Sequence, residues 1–352
     1  MRNVSRRPYA MALGRCASIA DNVKSSDDSM ILGKLSAPPG ERCSGSVSLR
    51  VAGIDVDLPV FLINGSGDGP RLTITAGIHG GEYPCVEAAC RLGRELDPSQ
   101  INGQIVIVPS ANPLAFEARS IYVTPVDNKN LNRQFPGNPE GSFTEAWADW
   151  LFTNVIVGSD AYIDLHGGDM IEALVPFVAF DVVGIQAVDA RAKRMAEAFG
   201  IRYALARKSG GGPSGTTVSA AANAGVASLL AEAGGQGVWN ERDVEILRSG
   251  VLRVMASIGM LPAGVVESAD GSEADALEWL EGWSWLRSDS NGLFYPTVKV
   301  GELVQEGQGL GRVANVFGET LQNLVAPATG TVLFLVTSLA MNDGDPLLAI
   351  GF

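Results

Sequence analysis

The most restrictive feature of this sequence is a recurring unit in which a short apolar run ends at a glycine loop. Residues 72–76 form one such run, the loop 77–83 follows, and Pro84 begins a helical pattern that continues to about residue 96. A short β-branched apolar run suits a strand buried on both faces, and proline suits the first turn of a helix. Further strands are predicted at 105–108, 161–165, 175–180 and 227–231, with helices at 143–157, 186–199 and 240–260. This alternation predicts an α/β domain with a mostly parallel central sheet, and such sheets bind ligands beyond the carboxyl ends of their strands.

The sequence changes character at both ends of this α/β region. Residues 265–276 are acidic and lack periodicity, whereas short β runs broken by glycine extend from 277 to 352. The polar segment before residue 46 is predicted to be an irregular arm with about one strand. Because 352 residues exceed what one core usually organises, we predict an N-terminal arm (1–45), a main α/β domain (46–264), a linker (265–276) and a small all-β domain (277–352).

Composition excludes several classes of protein. The chain has 26 Lys and Arg against 39 Asp and Glu, a net charge of −13, which disfavours a nucleic-acid partner. No apolar run is long enough for a membrane span, and Arg15 interrupts the apolar stretch 9–20, which argues against a cleaved signal. The four cysteines show no CxxC pair, so we expect reduced thiols in a cytoplasmic protein; they are Cys16, Cys43, Cys85 and Cys90.

The chain has only two histidines, and both follow predicted strands. His79 and Glu82 lie in the loop after strand 72–76, and His166 follows strand 161–165. Imidazole and carboxylate are good zinc ligands, and neighbouring strand ends in a parallel sheet can bring distant residues together. The alternative is that each histidine is structural. A His₂Glu set would leave the fourth zinc position open for water, as in catalytic sites.

Three more residues are candidates for chemistry. Glu232 follows strand 227–231 in the same glycine context, so it could act as a general base near the metal; a loop or N-capping glutamate is the alternative. Arg133 lies in an irregular segment, 127–137, that also contains three asparagines. Arg133 and Arg119 could each grip a carboxylate or polarise a carbonyl, and a plain surface salt bridge explains them equally well.

Five motifs, in chain order, resemble the succinylglutamate desuccinylase/aspartoacylase family, the deacylase branch of the zinc carboxypeptidase-like fold. They are HGGE (79–82), NP (112–113), NLNRQFPG (130–137), DLHGG (164–168) and EAGG (232–235), and the resemblance covers roughly 70–240. It implies one Zn²⁺ per chain, held by His79, Glu82 and His166. By the same resemblance, Glu232 would be the general base and acid, Asn132 and Arg133 would hold the substrate's amino-acid part, and Arg119 would polarise the scissile carbonyl.

The C-terminal domain carries a second, weaker resemblance. Residues 298–304 and 325–332 are similar to half of a biotinyl/lipoyl-type barrel, which predicts a barrel- or hammerhead-like domain. No lysine follows Lys299, so a covalently modified carrier is disfavoured. A cap over the site entrance or a contact in a homo-oligomer is the favoured interpretation. The glycine-rich loop 209–216 lacks the ending of a phosphate-binding loop and is a candidate lid.

The resemblance implies a zinc-dependent hydrolase that removes an acyl group from an N-acyl amino acid or similar small amide. Two alternatives remain open at this point: a zinc carboxypeptidase that acts on peptide C-termini, and a non-catalytic zinc- or ligand-binding protein. We expect a small N-acylated amino acid or amine as partner, with neither nucleic acid nor membrane.

Overall fold

The computed structural model describes residues 28–208, 214–262 and 276–352. Most of the candidate lid, 209–213, and most of the predicted linker, 263–275, lie outside the described residues. Within the described part of the chain no helix is long and apolar enough to cross a membrane. Its three cysteines, Cys43, Cys85 and Cys90, are free thiols.

The described residues contain six α-helices and twenty strands. The helices are α1 (Tyr83–Glu95), α2 (Pro113–Ala118), α3 (Phe143–Leu151), α4 (Gln186–Phe199), α5 (Thr217–Asn223) and α6 (Glu241–Ser257). The first eleven strands are β1 (Met30–Leu32), β2 (Leu35–Ala37), β3 (Arg42–Val51), β4 (Ile54–Asn64), β5 (Gly67–Ala76), β6 (Asn102–Val108), β7 (Ala161–His166), β8 (Glu172–Leu174), β9 (Phe177–Val182), β10 (Tyr203–Lys208) and β11 (Ala227–Glu232). The others are β12 (Glu278–Leu280), β13 (Trp283–Arg287), β14 (Gly292–Pro296), β15 (Leu303–Val304), β16 (Gly309–Ala314), β17 (Thr320–Val325), β18 (Gly330–Val336), β19 (Ala340–Met341) and β20 (Pro346–Gly351).

A nine-stranded mixed sheet organises the main domain, in the order β12-β10-β9-β11-β7-β5-β6-β4-β3. Five of its neighbouring pairs are parallel, and three are antiparallel. The inner strands β5, β7 and β11 are adjacent and parallel to one another. The buried parts of these strands are mostly apolar because both faces of the sheet are covered, and their buried polar residues include Thr73, Thr75, Asp164 and Ser228.

Helices cover both faces of this sheet. On one face α1, α4 and α6 pack their apolar sides into a core that includes Leu92, Phe199 and Val254. On the other face α3 and α5 contribute Trp147 and Ala221 to a second core. This layered α/β arrangement confirms the fold class predicted from the alternating pattern.

The C-terminal residues form two antiparallel sheets, in the orders β13-β20-β18-β15 and β17-β16-β14-β19. Their core contains Phe294, Val313 and Leu348. An all-β C-terminal region is therefore confirmed. Strand β8 from the main domain pairs with β18, and Phe334 lies opposite Leu174 in this ladder. Strand β8, which directly precedes β9 in the chain, thus joins a sheet of the C-terminal region.

The structure differs from the sequence-based expectations at several boundaries. Residues 30–45 are more regular than expected, since they contain the β1-β2 hairpin and the start of β3. Strand β12 joins the central sheet beside β10, although it falls in the region assigned to the all-β domain. The helix predicted at 143–157 ends at Leu151 and continues as a π-helical turn, Phe152–Ile156. The exact domain boundaries remain predictions.

Candidate functional site

The site lies where three neighbouring parallel strands end. His166 is the last residue of β7 and Glu232 is the last residue of β11, and the two are paired in the ladder. On the other side of β7, Ala76 at the end of β5 pairs with Leu165, so the loop 77–82 begins beside His166. Residues separated by more than eighty positions therefore meet at one edge of the sheet, as the strand pattern predicts.

Glu82 lies between the two imidazole rings. Its Oε1 is 2.6 Å from Nδ1 of His79, and its Oε2 is 2.9 Å from Nδ1 of His166. One ligand atom from each of His79, Glu82 and His166 can be chosen so that all three lie within 4.8 Å of one another. Two nitrogens and a carboxylate that converge in this way match a three-ligand catalytic metal site.

The outer nitrogens of both rings have acceptors of their own. Nε2 of His79 is 3.2 Å from Oδ1 of Asn130, and Nε2 of His166 is 2.9 Å from Oδ2 of Asp164. Asp164 is fully buried and also accepts from the hydroxyls of Thr75 and Thr217. Metal-binding histidines usually donate the second ring N–H to such an acceptor, which leaves the inner nitrogen free for the ion. The donor set therefore fits a metal ion.

The glycines of the HGGE and DLHGG motifs are required by close backbone approach. A Cβ on Gly80 would lie 2.2 Å from the carbonyl oxygen of Ala115, and a Cβ on Gly167 would lie 2.5 Å from that of Ala233. A side chain at Gly80 would shift the loop that carries His79 and Glu82, and a side chain at Gly167 would shift the turn that follows His166. The glycine turns thus hold the ligands at their spacing.

The buried charges of this cluster stabilise one another. Burial opposes the charge on Glu82, but the two histidines outweigh it and lower the pKa of Glu82 to about 2. Burial likewise opposes the charge on His166, yet Asp164 and Glu82 hold its pKa well above the usual value. Metal binding would displace these protons, because imidazole ligates only in its neutral form.

Glu232 has an unpartnered oxygen at the same strand edge. Its Oε2 is buried and has no hydrogen-bond partner in the described part of the chain. Burial raises the pKa of Glu232 well above its usual value, and the carboxylates of Glu82 and Glu172 add to this effect. Asn240 rather than Glu232 caps helix α6, so the N-capping alternative is excluded for that helix. A carboxylate oxygen left without a protein donor is suited to receive a proton from water.

One cavity of about 890 Å³, including its mouth, contains most of the predicted site residues. His79, Glu82, Asn132, Arg133, His166 and Glu232 all line it. Arg119 does not: it follows the last turn of α2 with φ 52°, and its side chain is exposed. The structure thus brings six of the seven candidates together and leaves Arg119 outside.

Asn132 and Arg133 have different surroundings within the pocket. The side chain of Asn132 is buried, with Oδ1 accepting from the backbone N–H of Thr217 at 3.0 Å and Nδ2 lying 3.5 Å from Nε2 of His166. Arg133 donates to the carbonyl oxygen of Asn132 at 2.6 Å. Burial lowers the pKa of Arg133, and the positive charges of Arg207 and Arg287 lower it further. Asn132 is therefore anchored, whereas Arg133 belongs to a cluster of positive charge.

Comparison with known proteins identifies the family of the chain. Residues 68–258 match the model of the succinylglutamate desuccinylase/aspartoacylase catalytic domain. The chain is also 32% identical, over 259 residues, to an N-alpha-acetyl-L-2,4-diaminobutyric acid deacetylase of Halomonas elongata, covering 73% of this chain and 74% of that protein. This chain belongs to the succinylglutamate desuccinylase/aspartoacylase family.

Solved structures of the family extend the likeness to most of the chain. A succinylglutamate desuccinylase/aspartoacylase from Rhodobacter sphaeroides superposes with a TM-score of 0.78 at 26% identity, covering 88% of this chain and 95% of that one. The product-bound ectoine utilization protein EutE (DoeB) from Ruegeria pomeroyi has a TM-score of 0.79 at 26% identity, covering 91% and 99%. The family predicted from the motifs is confirmed, and with it the class of enzyme, a hydrolase of amide bonds other than peptide bonds.

Arg207 is a pocket residue of this family member that the sequence analysis missed. It lies on β10, is 5% exposed, and donates from Nε to Oδ1 of Asp181 at 2.7 Å. Its Nη2 is buried without a partner in the described residues. The available signal was a charged residue within an apolar strand, because burying an arginine is costly unless something pairs with it.

Tyr122 and Glu172 form a second unpredicted pair in the pocket wall. The hydroxyl of Tyr122 donates to Oε1 of Glu172 at 2.6 Å, and Oε2 of Glu172 accepts from the N–H of Asp169. Tyr122 adopts a positive φ of 59°, and its own N–H donates to Asp169. These bonds connect the loop after α2 to the turn after His166.

Glu172 should make stability depend on pH. Burial raises its pKa from an ordinary 4.5 to about 7, so the folded protein favours the protonated form. Its contribution is therefore most favourable below pH 4.5 and is lost as pH rises towards 7 and above. In chelator-treated protein, the free energy of unfolding of Glu172→Gln should rise relative to wild type by about 3 kcal/mol between pH 4.5 and 8. Parallel pH profiles in chemical denaturation would contradict this.

Proposed function

We propose that this family member is a zinc-dependent deacylase that hydrolyses the amide bond of an N-acyl amino acid or similar small amide. The observation that carries the proposal is the convergence of His79, Glu82 and His166 in a pocket that also contains an oxygen of Glu232 with no partner among the described residues. Three ligands with an adjacent free carboxylate are the elements of metal-assisted hydrolysis.

The metal site is proposed to hold one Zn²⁺ per chain through His79, Glu82 and His166. When bound in such a site, zinc polarises a carbonyl and lowers the pKa of its water to about 7. The protein's part is to fix the ligands. Asp164 orients the ring of His166, Asn130 orients that of His79, and the glycine turns set the loop paths.

Glu232 is proposed to move the proton. As the base it would take a proton from the attacking water and return it to the nitrogen of the leaving amine. Its raised pKa suits the second step, because a carboxyl group that holds a proton in a buried site can donate it. The antiparallel register opposite Phe177 and the pairing with His166 keep its backbone fixed.

Arg133 is proposed to hold the carboxylate of the substrate. Two guanidinium groups, those of Arg133 and Arg207, lie in one pocket, and Nη2 of Arg207, which has no partner among the described residues, adds a donor. Guanidinium groups bind carboxylates through paired hydrogen bonds. Asn132 would position Arg133, since its carbonyl oxygen accepts from the guanidinium. The Halomonas relative is a deacetylase of an N-acetylated amino acid, which supports the same substrate class here.

The substrate class is tested directly by a hydrolysis panel. Zinc-loaded protein should release amine from N-acetyl, N-succinyl or N-formyl amino acids and should leave short peptides intact. Preferential release of C-terminal residues from peptides would instead identify a carboxypeptidase. Metal binding without hydrolysis of either group would identify a ligand-binding protein.

Glu232→Gln should abolish turnover while leaving the metal in place. The amide keeps the shape of the side chain but cannot accept the water proton, so we expect kcat to fall by about 10²–10⁴-fold. Metal content is read in parallel by elemental analysis. Glu117→Gln, the same change at an exposed glutamate of α2, is the control. Near wild-type kcat in Glu232→Gln would remove Glu232 from the mechanism.

Arg119→Ala should change kcat/KM by less than about threefold, because Arg119 is exposed and does not line the pocket. Steady-state kinetics on an accepted N-acyl amino acid provide the measurement. A loss of about 10²–10³-fold, the size expected for a lost oxyanion contact, would show that Arg119 reaches the substrate after all.

A further inference from the structure

Four aromatic rings form a continuous row that starts beside Glu232. Phe177 lies directly opposite Glu232 in the β9-β11 ladder, and both residues line the pocket. Directly opposed residues in an antiparallel pair project to the same face of the sheet, with Cβ atoms about 5 Å apart. From Phe177 the row continues edge to face, with ring centroids 5.6 Å apart to Trp283, 5.5 Å to Trp285 and 4.8 Å to Phe334. We call Phe177, Trp283, Trp285 and Phe334 the aromatic row.

The C-terminal sheet supplies the outer part of this row. Trp283 and Trp285 alternate on β13, so they project from the same face of that strand. Phe334 lies on β18, which pairs with β8 of the main domain. All four rings line the same cavity as the metal-ligand cluster. The all-β region therefore builds part of the pocket wall.

One ring of the row remains partly exposed although it packs against its neighbours. Trp285 is 38% exposed although its ring contacts two other aromatic rings. The indole N–H groups of Trp283 and Trp285 have no protein acceptor within the described stretches, whereas that of the buried Trp147 donates to Ala111. Leu174 and Leu333 complete this side of the cavity. An apolar and aromatic wall on one side of a pocket, facing polar groups that can orient a ligand, is typical of a small-molecule binding site.

We propose that the aromatic row is a subsite for an apolar substituent of the substrate, an aryl group or a branched or extended alkyl chain. This inference rests on the proposed function, because the row begins next to the carboxylate assigned to proton transfer. The positive charge of Arg133 and Arg207 would hold the carboxylate, and the row would hold the apolar part. The apolar substituent belongs either to the acyl group or to the amino-acid side chain.

Two homologous substrate series distinguish these sources. In one, the acyl chain grows from two to eight carbons on a fixed amino acid; in the other, acetyl is kept and the side chain grows from alanine to norleucine and phenylalanine. Each methylene that enters the subsite should raise kcat/KM by about fourfold over the first additions. A rise in only one series identifies the substituent that is bound. Flat or falling values in both series would overturn the proposal.

Alanine variants test whether the increase of kcat/KM with chain length depends on the aromatic row. Trp283→Ala and Trp285→Ala should each flatten the dependence of kcat/KM on chain length. Trp239→Ala removes the same residue type at a position that is 54% exposed and does not line the pocket, and it should keep the full dependence. If the row only packs the two parts of the chain together, Trp283→Ala and Trp285→Ala will lower Tm but leave the dependence unchanged, which would contradict the subsite.

Binding to the Glu232→Gln variant separates this proposal from the proposed function. Titration of N-acyl amino acids, followed by tryptophan fluorescence, should give tighter binding as the apolar group grows. Binding with that dependence but no hydrolysis by wild type would leave the subsite standing and reject the deacylase. Hydrolysis by wild type whose rate and binding do not depend on the size of the apolar group would support the deacylase and reject the subsite. Neither binding nor hydrolysis would reject both.

Discussion

The parallel alignment of β5, β7 and β11 is the constraint on which the site depends. Each of these strands is largely buried where it meets its neighbours, and each carries site residues at its carboxyl end or in the loop that follows. Because the three ends are adjacent, His79 and Glu82 after β5, His166 on β7 and Glu232 on β11 share one edge. Glycine turns then let the backbones approach closely enough for one carboxylate to contact both imidazoles.

This arrangement buries several charges that must balance one another. Glu82 stays ionised between His79 and His166, and the fully buried Asp164 supports His166 from behind. Positive charge does not offset the burial of Glu232 and Glu172 to the same extent, and burial raises the pKa of both. Within the pocket lining, the carboxylate of Glu82 is thus held ionised by the two histidines, whereas the pKa values of Glu232 and Glu172 are raised. Different surroundings therefore give glutamates in one cavity different pKa values, which suits them to different roles.

The strand ends and their motifs could be predicted from sequence because both signals are local. An apolar run followed by glycine fixes where His79, His166 and Glu232 lie relative to the sheet. The aromatic row could not be predicted, since it depends on pairings such as β8 with β18 that no local pattern encodes. Arg207 had a local signal, a charged residue within an apolar strand, but its contact with Asp181 depends on the pairing of β10 with β9. The candidate role of Arg119 rested on the family resemblance with loose spacing, but α2 ends at that residue with its side chain exposed.

The most direct test of this account is anomalous X-ray diffraction at the zinc edge from crystals of zinc-loaded protein. The account predicts one strong peak per chain that contacts Nδ1 of His79, a carboxylate oxygen of Glu82 and Nδ1 of His166, with Glu232 nearby but not ligating. The peak should be absent in His166→Ala. A peak at other residues, or none while the imidazoles remain paired with Glu82, would contradict the central claim that these strand ends form a metal site.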